Sequence, residues 1–232
     1  MSHVLITGAS RGIGDAVRAK FEDNGWNVSY FYRNNVGDPR TSYAIKCDVS
    51  NPDAVHEGVA SAVKRFGDIN VLVSNSGISR TGLVTDFEFD DYRAIFDTNF
   101  GGLFNTVNNV VPMMIHNKSG SIVAISSMWG QTGASCEALY SASKGAVDSY
   151  IKSLAKELGP SGIRVNCVSP GCVYTDMIKQ YGLEDLEDLK NETPLGRIGE
   201  PEDIANTVYY LSTDQSSFIT GQIIGVNGGF LI

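Results

Sequence analysis

TGASRGIG at residues 7–14 decides the fold. It follows the apolar run VLI at 4–6 and opens a segment, 12–24, whose residues Ile13, Ala16, Val17 and Phe21 share one helical side. In a strand–turn–helix unit of this kind each glycine has a task. Gly8 lets the chain turn sharply, Gly12 lets backbone approach a pyrophosphate, and Gly14 lets the helix pack closely on the sheet. The helix N-terminus then offers free N–H groups and the positive end of its dipole to phosphate. The spacing, Gly-x3-Gly-x-Gly, is a variant of the dinucleotide-binding fingerprint. No GK[ST] follows, which excludes a P-loop.

Outward from that turn, short apolar runs recur: VSYFY at 28–32, VLV at 71–73, IVAIS at 122–126, VNCVS at 165–169 and QIIGV at 222–226. Continuous apolar character marks strands covered on both faces. Between them, 53–66 and 138–158 have helical patterning, and 88–116 holds one or two longer helices. Strand alternating with helix requires a parallel sheet, because parallel partners need a crossover. The expected fold is α/β: a single Rossmann-type, doubly wound parallel sheet of about seven strands with helices on both faces, residues 1–232 forming one domain. Two stretches break the rhythm. NNVGDPRTS at 34–42 leaves too little chain for a full helix before a short strand and the Asp48 turn. Residues 174–200, acidic and less regular, read as a lid over the substrate.

The chain has 232 residues, 42% hydrophobic and 19% charged, enough to fill a large core. Lys and Arg number 18 against 26 Asp and Glu, a net charge of −8. Without a basic cluster, that balance argues against nucleic acid or an anionic membrane as partner. The longest apolar stretches fall far short of a membrane span. Cys47, Cys136, Cys167 and Cys172 form no CxxC pair, and His3, His56 and His116 are scattered, so no metal site is expected. The cysteines read as buried thiols in a reducing compartment, and with no basic n-region before residue 4 a soluble cytoplasmic protein is expected. The second strand ends in Tyr32-Arg33-Asn34, without the acid that would bond a ribose 2′-hydroxyl. Arg33, with Arg11 as a second cation, suits a 2′-phosphate, so NADPH is expected before NADH.

At 140–144 the chain reads YSASK, placing Tyr140 and Lys144 one helical turn apart. Ser127 stands thirteen residues upstream, at the carboxyl end of a strand where open α/β sheets hold ligands, and Asn99 stands 28 residues before the serine. Together with CDV at 47–49, NSG at 75–77, SPGCVYTDM at 169–177 and TGQIIGVNGG at 220–229, these motifs resemble the short-chain dehydrogenase/reductase family over almost the whole chain. The likeness is greatest to the 3-oxoacyl-[acyl-carrier-protein] reductases, including variants that lack the helix after the second strand. The resemblance implies a catalytic set of Asn99, Ser127, Tyr140 and Lys144. It implies cofactor contacts from Gly8, Ser10, Arg11, Gly12, Ile13 and Gly14, then Arg33, with Asp48 and Val49 at the adenine and Asn75 and Gly77 along the cofactor. Tyr140, Lys144, Pro170, Gly171, Val173 and Thr175 complete that set near the nicotinamide. It also implies a homotetramer, with helices near 88–116 and 138–158 packed across dimer faces. Asn75-Ser76-Gly77 departs from the usual Asn-Ala-Gly by one hydroxyl.

The chemistry follows from the residue types. Hydride adding to a ketone leaves negative charge on oxygen, which calls for a proton donor and a hydrogen-bond donor. Tyr140 is the expected acid, its phenol brought toward working pH by the Lys144 ammonium. Lys144 also suits the nicotinamide ribose, Ser127 the carbonyl oxygen, and Asn99 a water that passes protons onward. Ser126 points to the other side of the strand, and Met128, Trp129, Met177 and Tyr181 are candidates for the substrate pocket. A 3-oxoacyl thioester, on acyl-carrier protein or coenzyme A, is the first substrate expected. Lys118 suits docking of an acidic carrier, whereas Ser161 stands where a second cation belongs and Arg164 follows it. A carbonyl reductase or alcohol dehydrogenase for sugars, steroids or other ketones is the alternative. A nucleotide-binding regulator without turnover has no need of all four catalytic residues.

Overall fold

The apolar runs fold as β1 (His3–Thr7), β2 (Asn27–Tyr32), β3 (Tyr43–Lys46), β4 (Val71–Ser74), β5 (Gly120–Ile125), β6 (Ile163–Pro170) and β7 (Ile223–Val226). In this computed structural model, which describes residues 1–176, 178 and 182–232, they form one parallel sheet in the order β3-β2-β1-β4-β5-β6-β7. Met177 and Tyr181, expected in the substrate pocket, lie outside the described residues. Val4 of β1 pairs with Val28 on one side and Val71 on the other, so β1 is an interior strand. Its five residues are all buried, as a strand covered on both faces must be. Alternate residues feed two cores. Leu5 and Leu72 join one core with α2 (Pro52–Phe66), α4 (Gly102–Asn117) and α6 (Ala138–Leu158), while Val4, Ile6 and Val73 join the other with α1 (Gly12–Asp23) and α8 (Pro201–Ser212).

Local signals start the helices. Asn51 caps α2, its side chain accepting from the Asp53 and Ala54 N–H groups, with Pro52 in the first turn. The stretch 88–116 divides into α3 (Phe89–Phe96), a π-helical turn at Asp97–Gly101, and α4. A short helix, α5 (Met128–Thr132), follows β5. The region expected to be an irregular lid contains α7 (Leu183–Glu192). The sequence reading does not anticipate α8, although Ile204, Ala205, Val208 and Leu211 form its buried face. Among the described residues no helix is long and apolar enough to cross a membrane, and no group of His, Cys, Asp and Glu could hold a metal ion. Cys47 and Cys167 are buried as expected, but Cys136 and Cys172 are only half-buried.

Residues 33–42 form no helix, and other contacts close that side of the sheet. The Tyr30 hydroxyl donates to the Val36 carbonyl at 2.6 Å, and Thr41 donates to the Glu22 carboxylate at 3.2 Å. Glu22 is held by the buried Arg18, which also pairs with Asp15 and lies 5.6 Å over the Tyr30 ring. Gly37, at φ +71°, packs so closely on the Ser10 carbonyl that a Cβ there would collide with it. The loop thus rests directly on the glycine turn.

Candidate active site

A cleft of about 620 Å³ opens at the carboxyl ends of the strands, spanning the point between β1 and β4 where the strand order reverses. Every residue expected to contact a cofactor, from Gly8 to Thr175, lines it. Gly8 turns at φ +69°, its N–H reaching the Phe31 carbonyl at 2.9 Å. A Cβ on Gly14 would collide with the Gly8 carbonyl oxygen and stand 2.8 Å from Ala9 Cα, so only glycine lets α1 begin so close to the turn. Asn75 braces this geometry, its Nδ2 donating to the carbonyls of Thr7 at 3.1 Å and Gly8 at 2.9 Å. The N–H groups of Asn75 and Ser76 both donate to Thr7 Oγ1 at 3.0 Å. The extra Ser76 hydroxyl lies 2.9 Å from where a Gly8 Cβ would be, in space that the glycine leaves open.

The cradle fits a dinucleotide. Backbone can approach phosphate at Gly12, and the first turn of α1 lines the cleft. Arg11 and Arg33 line it with no acid between Tyr32 and Asn35, and Arg11 pairs with Asp176 at 3.3 Å across its mouth.

Three of the four expected catalytic residues converge on the same cleft. Ser127 caps α5, its Oγ accepting from the Trp129 N–H at 3.2 Å and keeping its own proton to donate. Tyr140 and Lys144 occupy successive turns of α6, with Nζ 5.7 Å from the Tyr140 ring centre. Nζ donates to the Ile125 carbonyl at 2.8 Å. Burial pulls the Lys144 pKa down to about 8, with Cys167 and Asp148 partly opposing it. Asp148 is itself pushed above the usual carboxylate range by burial.

Asn99 stands behind the cleft wall, buried in the π-helical turn. Its Nδ2 donates to the Ile78 carbonyl at 2.9 Å and Ser143 Oγ at 3.0 Å, and its Oδ1 accepts from the Ile78 N–H at 2.8 Å. A Cβ on Gly77 would lie 3.4 Å from both Asn99 Oδ1 and Lys144 Nζ. Ser126, expected on the other side of the strand, also lines the cleft and donates to the Lys144 carbonyl at 3.3 Å.

Met128 and Trp129 line the cleft, as do Thr175, Asp176, Ile178 and Leu189 from the stretch read as a lid. Trp129 meets Phe230 edge-on at 5.8 Å, a contact with no local sequence signal. Glu137 was also missed, because the hydroxyls that hold it belong to Ser79 and Thr81, far away in sequence. Lys118 is exposed at the end of α4. Arg164 is not available to dock a carrier, since its guanidinium is spent on the Leu211 and Thr213 carbonyls and Ser216 Oγ, at 2.7, 3.0 and 2.8 Å.

A family model described as enoyl-(acyl carrier protein) reductase matches residues 8–231. An uncharacterized oxidoreductase of Bacillus subtilis, YmfI, is 40% identical over 238 residues, covering 97% of each chain. The 3-oxoacyl-[acyl-carrier-protein] reductase FabG of Staphylococcus aureus is 37% identical over 236 residues, covering 97% of this chain and 96% of its own. The ligand-free structure of the Thermoplasma acidophilum aldohexose dehydrogenase superposes with a TM-score of 0.92 at 32% identity, over 99% of this chain and 93% of that one.

Proposed function

The chain belongs to the short-chain dehydrogenase/reductase family, an oxidoreductase family, and from that premise we propose that it uses NADPH to reduce a 3-oxoacyl thioester to the 3-hydroxyacyl thioester. The acyl group rides on acyl-carrier protein or coenzyme A, and the enzyme works as a cytoplasmic homotetramer. One observation carries the reading: Ser127, Tyr140 and Lys144 meet at the carboxyl edge of the sheet, beside a glycine cradle flanked by Arg11 and Arg33. The full-length likeness to a 3-oxoacyl-[acyl-carrier-protein] reductase supports the substrate class.

When bound, the reduced nicotinamide supplies hydride to the ketone carbon. Gly12 and the start of α1 would hold the pyrophosphate, with Gly8 and Gly14 shaping the turn, Arg11 and Arg33 would hold the 2′-phosphate, and Asp48 and Val49 would border the adenine. Asn75 and Gly77 lie along the cofactor, and Pro170, Gly171, Val173 and Thr175 flank the nicotinamide. The Tyr140 hydroxyl gives its proton to the carbonyl oxygen as charge builds there, and Ser127 Oγ–H donates to the same atom. The Lys144 ammonium favours the phenolate left behind. Asn99 acts from behind, fixing Ile78 and so holding Gly77 against Lys144 Nζ. The stretch 174–200 covers the substrate.

Absorbance at 340 nm, followed with acetoacetyl-CoA and either NADPH or NADH, tests this directly. Oxidation of NADPH at least tenfold faster than NADH is expected. No thioester turnover, with NADPH still bound by fluorescence, removes the substrate assignment. The close superposition on an aldohexose dehydrogenase favours a second reading, a sugar dehydrogenase, since one fold hosts many substrates. Aldohexose oxidation with NADP in the same assay would establish it.

A further inference from the structure

We infer that Glu137 sets a fixed negative charge at the substrate end of the cleft, so that neutral acyl ketones enter and free 3-oxo acids are rejected; this rests on the 3-oxoacyl reading above. Glu137 immediately precedes α6, three residues before Tyr140; it is 8% exposed and lines the cleft. Its Oε2 accepts from Ser79 Oγ at 2.6 Å and its Oε1 from Thr81 Oγ1 at 3.0 Å. Two hydroxyl donors match the two accepting oxygens of a carboxylate. Its place at a helix N-terminus favours the same charge. The Gly82 N–H donates to the Cys136 carbonyl at 2.9 Å, so the loop carrying both hydroxyls is tied to the start of the catalytic helix.

Among the described residues the nearby cations have other partners. Among the described residues none forms an ion pair with Glu137. Arg80, between the two hydroxyl residues, pairs with Asp91, and Lys144 Nζ donates to the Ile125 carbonyl and lies beside the Tyr140 ring, forming no ion pair with Glu137. Arg11 and Arg33 belong to the nucleotide end, in the glycine turn and beyond β2. Ser127, Tyr140 and Glu137 line the same cleft, so in the proposed pose, with the ketone oxygen held by Tyr140 and Ser127, the acyl group of a 3-oxo compound extends toward this carboxylate. Two like charges some 6 Å apart, at an effective dielectric of about 20, repel enough to cost roughly 100-fold in binding. Esterification removes the substrate's charge and with it the penalty. A merely structural pin would hold the loop without discriminating between the two forms.

The experiment compares acetoacetate, an anion at neutral pH, with methyl acetoacetate, its neutral ester, using full-length protein and NADPH. For wild type, kcat/KM is expected to favour the ester by roughly 100-fold. Glu137→Gln keeps an acceptor for the hydroxyls and should shrink that ratio at least tenfold through a gain on the acid. A ratio unchanged in the variant, with both rates lowered together, overturns the inference and leaves the 3-oxoacyl reading intact. A wild type with no preference does the same. A wild type that reduces acetoacetyl-CoA but neither of these compounds overturns the inference alone, and one that reduces none of the three overturns the reading with it. Should Glu137→Gln fail to fold, Thr81→Lys sets a cation on the exposed rim beside the carboxylate and should narrow the ratio at least fivefold; an unchanged ratio there is equally fatal.

Discussion

Lys144 is buried, and its pKa of about 8 sets two opposite responses to pH. Turnover should fall as pH rises through about 8, because the ammonium that favours the Tyr140 phenolate is lost. Stability from the same group should rise, since between about 8 and the ordinary value of 10.5 the unfolded chain binds the proton that the folded chain has released. Measuring kcat from pH 6.5 to 9.5 tests the first. Comparing melting temperatures of wild type and Lys144→Met tests the second: the difference should shift in favour of wild type between pH 7 and 9. Tyr140→Phe should lower kcat by about 10³-fold with NADPH affinity retained, the size expected for a lost general acid. Weaker NADPH binding of the same size would instead make Tyr140 a cofactor contact alone. Gly14→Ala forces a methyl into the Gly8 carbonyl, and cofactor affinity measured by fluorescence should drop at least tenfold.

At the scale of elements, the loop at 33–42 replaces a helix by resting on the glycine turn. Gly37→Ala both strains a positive φ and displaces Ser10, so it should weaken NADPH binding several-fold while leaving the far side of the sheet unchanged. Titration of cofactor fluorescence reads the effect, and an unaltered affinity would mean that the loop and turn are independent. Strands, most helices and the cradle were legible in the sequence because burial on both faces writes unbroken apolar runs and the glycine spacing has a stereochemical reason. The helix at 201–212 escaped although Ile204, Val208 and Leu211 carry the right period, because it abuts the stretch read as irregular. Asn99 was expected to hold a water, and its attachment to Ile78 depends on a side-chain direction that spacing does not encode. Arg18 and Glu137 were invisible for a related reason. A buried charge is defined by partners, and Tyr30, Ser79 and Thr81 approach only when the sheet forms.

Across the whole molecule, several large apolar side chains stand exposed. Phe89, Tyr92 and Phe104 are exposed on α3 and α4, and Phe218 and Ile232 are fully exposed elsewhere. Exposed aromatic residues on α3 and α4 suit an interface in the proposed tetramer. Light scattering should give four times the 25.0 kDa chain mass, and Phe104→Glu should reduce it to a dimer; a monomeric wild type would refute the assembly. The strand order also has a consequence in time. β3, β2, β1 and β4 are contiguous in the sheet and all come from residues 3–74, whereas Ser127, Tyr140 and β7 come later. Synthesis from the N-terminus therefore supplies the nucleotide half of the cleft first. The proton donor leaves the ribosome only after that half of the sheet has been made, and β7, paired with β6, is the last strand to arrive.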